Sequence, residues 1–144
     1  MTEPYALPAS LEPDLQRALD YWRSLIKGAN NMPFWDDFRS GALPDLSSRM
    51  ALLDVFDEPL RLRFGDFVGL ELIQRYGAPL HGQFLDELEL TDPFEHLASQ
   101  ASAAIEDLKR NYYRHASRGG YSRLLMPMWG RGRVWALMCA YVWR

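Results

Sequence analysis

A chain of 144 residues, 48% apolar and 24% charged, is the size of one globular domain with one core and leaves no room for a second domain. Its net charge is −3, and its one cysteine, Cys139, excludes an intramolecular disulfide and any CxxC redox or zinc pattern. The start, MTEPYALPASLEP, lacks the basic and apolar regions of a secretory leader. The longest apolar run, VWALMCAYVW at Val134 to Trp143, falls far short of the roughly 20 residues of a membrane helix. The expectation is a cytoplasmic protein with no membrane insertion.

Ser10 is placed to cap a helix that runs to about Gly28, with Pro13 tolerated in the first turn and Leu15, Leu19, Trp22 and Ile26 on one face. Between Ala29 and Ser48, Pro33, Gly41 and Pro44 signal loop with at most a turn of helix. MALLDVF at Met50 to Phe56, the turn residues Asp57 to Pro59, and the alternation of Leu60, Leu62 and Phe64 with Arg61 and Arg63 predict a hairpin whose second strand reaches Phe67. The period then lengthens: Val68, Leu72, Ile73 and Tyr76 share a helical face, and Gly77 with Pro79 stops the element.

Phe84 to Leu90 is compatible with one more helical turn. Asp92, Pro93 and Glu95 have the form of an N-cap, an N1 proline and a capping-box acid, which predicts a longer helix from there to about Tyr112. Two strands, Tyr121 to Trp129 and Arg133 to Trp143, meet at Gly130, Arg131 and Gly132. A three-residue loop there would set Leu124, Met126 and Met128 beside Ala136, Met138 and Ala140. Leu125, Pro127 and Trp129 would then share the other face with Trp135, Leu137 and Tyr141. Both faces are apolar, so both need covers: the helical middle on the Met-rich face, and the N-terminal helix, a partner protein or a second subunit on the other.

The ordered series LDYWRSL (Leu19 to Leu25), MP (Met32, Pro33), LLDVF (Leu52 to Phe56), VG (Val68, Gly69), RYG (Arg75 to Gly77) and LHGQFLDEL (Leu80 to Leu88) resembles a PAS domain. It is more particularly similar to the bacterial PAS-like proteins that stand alone without an effector domain. It departs from them at Asp66, where such proteins usually have Arg, and in lacking a clear third strand near Tyr112 to Arg118. The resemblance implies an α+β fold: an antiparallel sheet of four or five strands, residues 49–144, with helices across one face and the helix 11–28 added. It also implies a sensory or protein-interaction module of bacterial signal transduction that acts on a separate partner such as a two-component kinase. The last strand ends the sequence, so the expected output passes through a noncovalent partner.

Two sets of site residues follow. Phe64, Leu72, Tyr76, Leu124, Met126 and Met138 are candidates for a pocket that holds a small apolar ligand, with a packed core as the alternative. Trp22, Trp129, Trp135 and Tyr141 are candidates for a homodimer or partner contact on the outer sheet face and N-terminal helix. No catalytic or metal residues are nominated. The three histidines His81, His96 and His115 have no metal-ligand spacing, the short helix has no histidine for haem, and Cys139 lies in a strand and not at a helix start, so neither haem nor a photoactive flavin is expected. Eight basic residues follow the last acid, Asp107, but they are scattered over several elements, which disfavours nucleic acid as the partner. The rival classes are a small enzyme using His81 or His96 as acid or base, and a basic-face nucleic-acid binder.

Overall fold

The computed structural model describes residues 3–144. Five strands, β1 (Met50–Phe56), β2 (Arg61–Val68), β3 (Asn111–Arg114), β4 (Tyr121–Gly130) and β5 (Arg133–Trp143), form one antiparallel sheet in the order β2-β1-β5-β4-β3. Three helices, α1 (Pro13–Ser24), α2 (Leu70–Tyr76) and α3 (Leu97–Asp107), complete the α+β fold. The longest strands, β4 and β5, lie inside the sheet, where both faces are covered over most of their length and residues such as Leu124, Leu125, Leu137 and Met138 lose all contact with water.

Both hairpin strands of the N-terminal half stand where the alternation predicts them, β2 shifted by one residue. α1 is shorter than expected: it starts at Pro13 behind Glu12, not at Ser10, and ends at Ser24. Gly77 closes α2 with φ 89, a backbone state that glycine reaches without the Cβ clash. Gly69 has a different reason for being glycine. Its N–H bonds Met50 O at 2.7 Å, and a Cβ there would lie 2.3 Å from Ser48 O, so the close approach of two backbones allows no side chain.

Two corrections concern the segment before β4. The long helix does not begin at Asp92: the chain turns through His96 in the left-handed region and only then enters α3. The Asp92 carboxylate, expected as a cap, instead takes a bidentate pair from Arg75 at 2.6 and 3.1 Å. The same region supplies the missing strand, because the helix stops at Asp107 and Asn111 to Arg114 pair with Ser122 to Leu125 as β3. Arg110 therefore precedes this edge strand and Arg114 is its last residue.

The turn after β4 has two residues, Arg131 and Gly132, both at positive φ, the geometry that follows the twist of a hairpin. An irregularity at Met128/Trp129 skips Trp135 in the pairing. The extra residue keeps the faces that a three-residue loop would give but not its register: Met126 lies opposite Met138 and not Ala136, and Leu125 opposite Cys139 and not Leu137. Locally it pairs Val134 with Trp129 and turns Trp135 to the face of Ala136.

The two faces are covered the other way round from the expectation. Arg123 and Tyr141 are paired across β4 and β5 and reach the helical middle, with Tyr141 OH donating to Pro93 O at 3.0 Å and Arg123 Nη2 to Glu95 O at 2.9 Å. That is the inner face, and by alternation it carries Leu125, Leu137, Cys139, Leu53 and Phe64. The Met-rich set is on the outer face, beneath α1. Trp22 of α1 donates from Nε1 to Pro127 O at 2.9 Å, and Glu12 before α1 accepts from Tyr112 OH, which also meets Ser122 Oγ on the outer face.

Candidate interaction surface

The sheet divides the six pocket candidates. Phe64, Leu72 and Tyr76 are on the inner side, where the space between sheet and helices is occupied by the ring of Phe94: its centroid is 5.0 Å from Phe64, 5.2 Å from Tyr76 and 6.4 Å from Tyr141. Leu124, Met126 and Met138 are on the outer side with no exposure. One cavity cannot be lined by both groups, because β1, β4 and β5 stand between them. The sequence could not reveal this, since both faces are apolar and alternation says which residues share a face without saying which face meets which helix.

Arg123 is fully buried and has no carboxylate partner among the described residues. Its guanidinium donates to Gln100 Oε1 at 2.7 Å, Glu95 O at 2.9 Å and Pro93 O at 3.2 Å, and sits over the rings of Tyr113, Tyr121 and Tyr141. Neutral carbonyls and ring faces replace the lost water, which a buried cation requires. Burial pushes the Tyr121 phenol up to about 12 and the Cys139 thiol up to about 12, so neither ionises near neutral pH. Desolvation of the charged form is the cause in both.

The four interaction candidates separate as well. Trp22 is 2% exposed and Tyr141 3%, the first covered by its own sheet and the second turned to the helical middle. Trp129 is half-buried, with Phe34 tilted against it at 4.8 Å and its backbone N–H donating to Pro33 O at 2.9 Å. Trp135, the remaining candidate, borders an open cleft.

That cleft, about 360 Å³, lies on the part of the outer face that α1 does not reach and is lined by Trp35, Asp54, Phe56, Arg63, Arg133 and Trp135, with Asp66 at β2. Trp35, on a short 3-10 turn, is 37% exposed, and its ring lies 6.3 Å from that of Trp135. Nothing in its loop marked it beforehand; it was one aromatic among several before a polar cluster. Gly130 makes the approach possible, since a Cβ there would stand 2.7 Å from Trp35 Cδ1 and 2.8 Å from Trp135 Cβ. The bulge that turns Trp135 outward and the glycine that clears space for Trp35 are therefore both needed for the aromatic wall.

Guanidinium groups lie against these rings: Arg133 is 4.7 Å and Arg131 5.4 Å from the Trp135 centroid, and Arg63 is 4.9 Å from that of Phe56. Arg63 is held by Asp54 at 2.8 Å and Arg133 by Asp57 at 3.6 Å. Flat rings and fixed guanidinium forks combine large contact area with few rotatable bonds, a composition enriched at protein interfaces.

Two further grooves are less suited to recognition: an apolar one of about 240 Å³ edged by Leu60, Leu85 and Ala98, and an open one of about 390 Å³ at Glu12, Tyr112, Arg114 and Arg144. His115 lies between Glu95 Oε2 at 2.9 Å and Ser117 Oγ at 2.7 Å, a hydrogen-bonded series that none of these clefts adjoins. Among the described residues no three His, Cys, Asp or Glu side chains are arranged to hold a metal ion, and no helix is long and apolar enough to cross a membrane. No family model, no curated protein and no solved structure matches this chain.

Proposed function

We propose that the chain is a PAS-like protein-interaction module of signal transduction that acts on a separate signalling protein through the open half of its outer sheet face. The observation that carries this reading is the Trp35 and Trp135 wall, partly exposed and backed by fixed guanidinium groups. The antiparallel sheet with a helical middle across one face agrees with the resemblance to PAS domains drawn from the sequence series. The inner space that a small apolar ligand would take is filled by Phe94, so the support favours interaction over ligand sensing. A two-component kinase is the partner class the resemblance implies.

The test is a photo-crosslinking amino acid placed at Trp35, with Leu60 as a control position. A signalling protein crosslinked from position 35 and not from position 60 is the expected result. Crosslinks to that protein from position 60 alone would overturn the assignment of the surface. Hydrolysis of a p-nitrophenyl ester that disappears in Ser117→Ala would instead favour an enzyme built on His115.

A further inference from the structure

Seven arginines are half-buried or buried, and all but one have hydrogen-bond acceptors. Arg49, Arg61, Arg63 and Arg75 reach carboxylates, while Arg123 and Arg133 reach amide or backbone oxygens. Arg110 is the exception: its side chain has no hydrogen bond or ion pair among the described residues, and its Nε is closed off from water without an acceptor. Burial pushes its guanidinium below the usual arginine range, and like-charge repulsion from the nearby Arg23 acts in the same direction. Arg23, in the last turn of α1, is exposed and also makes no ion pair among the described residues.

A cleft of about 200 Å³ opens on Arg110, between the segment from Glu3 to Leu7 and the start of β3. Its walls are fixed. The Tyr5 carbonyl accepts from the Tyr112 N–H at 2.9 Å, the Tyr5 hydroxyl donates to Ser99 Oγ at 2.7 Å, and Lys109 is taken by Glu3 at 3.3 Å. Lys109 and Glu3 therefore cancel, which leaves the two arginines uncompensated. A carboxylate would balance only one of them, whereas a phosphate monoester carries a charge of about −1.5 to −2 at neutral pH and matches the guanidinium fork. A cation already stripped of part of its water also attracts such a group more strongly than one at the open surface. Tyr5 and Leu7 add apolar lining beyond the charged end. We propose that Arg110, with Arg23 beside it, binds the phosphate of a small phosphorylated molecule whose apolar body lies in this cleft against Tyr5 and Leu7. The site is at the β3 edge, across the sheet from the tryptophan wall, and does not depend on the reading of that wall.

Phenyl phosphate titrated into the protein at constant ionic strength should shift the Arg110 Nε–H signal in a nitrogen–proton NMR spectrum to saturation, and phenol should not. Arg110→Met keeps most of the length of the side chain and should weaken the affinity read by calorimetry by about tenfold or more. Arg23→Gln should weaken it by about twofold to fivefold, and Arg131→Met, at the far hairpin, should leave it unchanged. Retained circular dichroism shows that folding is not the cause. Inorganic phosphate should bind more weakly than the ester; equal affinity would overturn the apolar body and leave free phosphate as the ligand. No saturable binding of either, or phenyl phosphate binding unchanged in Arg110→Met, overturns the site. Should Arg110→Met not fold, the wild-type Nε–H signal decides, because a ligand bound elsewhere leaves it unmoved.

Discussion

On the inner face, Phe64, Phe94 and Tyr141 meet at tilted to edge-on angles and leave no exposed ring, while on the open half of the outer face Trp35 and Trp135 lie at a similar separation with Trp35 still 37% exposed. The arginines differ in parallel. Arg123 spends its donors on Gln100 and two backbone carbonyls, whereas Arg131 and Arg133 rest on a ring at the surface. The same residue types therefore serve cohesion on one side and recognition on the other. What separates the two uses is the cover: α3 and the Asp92 to His96 loop close the first region, and α1 stops short of the second.

The contrast predicts that inner substitutions cost stability and outer ones cost association. Phe94→Ala should be the most damaging, at about 3 to 5 kcal/mol in urea unfolding, because it empties the space between Phe64 and Tyr76. If the variant also binds a small apolar probe that the wild type ignores, the inner face is a filled pocket and the contrast sharpens. Arg123→Met keeps the length of the side chain but orphans Gln100 Oε1 and Glu95 O; a loss of about 3 kcal/mol is expected. A neutral result would mean that the loop from Asp92 to His96 does not depend on this cation.

A smaller effect is expected at Glu71, whose carboxylate accepts from Ser48 Oγ and from Trp143 Nε1 at 3.1 Å. The Ser48 hydrogen bond holds its pKa below the usual glutamate range despite partial burial. A depressed folded value contributes stability above the unfolded value, near 4.3, and that contribution disappears as pH falls through the lower folded value. Glu71→Gln should accordingly flatten the acid side of a stability profile below about pH 4.3 and leave its slope near neutrality unchanged. At the bottom of the scale, Trp135→Glu should alter unfolding free energy by less than about 1 kcal/mol while abolishing partner capture by the crosslinker at position 35. A large stability loss there would place Trp135 with the inner residues and break the comparison.

The periodicity of single elements was legible because it is local: the alternation at Leu60 to Phe64 and the strand at Arg133 to Trp143 follow from which neighbours along the chain are apolar. Gly77 declared its stop because its left-handed turn is a property of one residue. Asp92 misled for the same reason, since its capping pattern is genuine locally and loses to Arg75, seventeen residues away. β3 was hidden by its length, four residues at the sheet edge that pair only with β4.

The site was less legible than the fold. Trp135 was named from its size and its place in an apolar strand, but its face depends on a single bulge, and Trp35 acquires meaning only where Gly130 lets it approach. By itself the sequence determined the antiparallel hairpins, the central apolar strands and, up to the bulge at Trp135, which residues of β4 and β5 share a face, because backbone alternation acts between near neighbours. Only the tertiary structure decided which face α1 covers, that Phe94 fills the inner space and that part of the outer face stays open. Those outcomes depend on how helices of fixed length fit over a twisted sheet whose two sides are equally apolar.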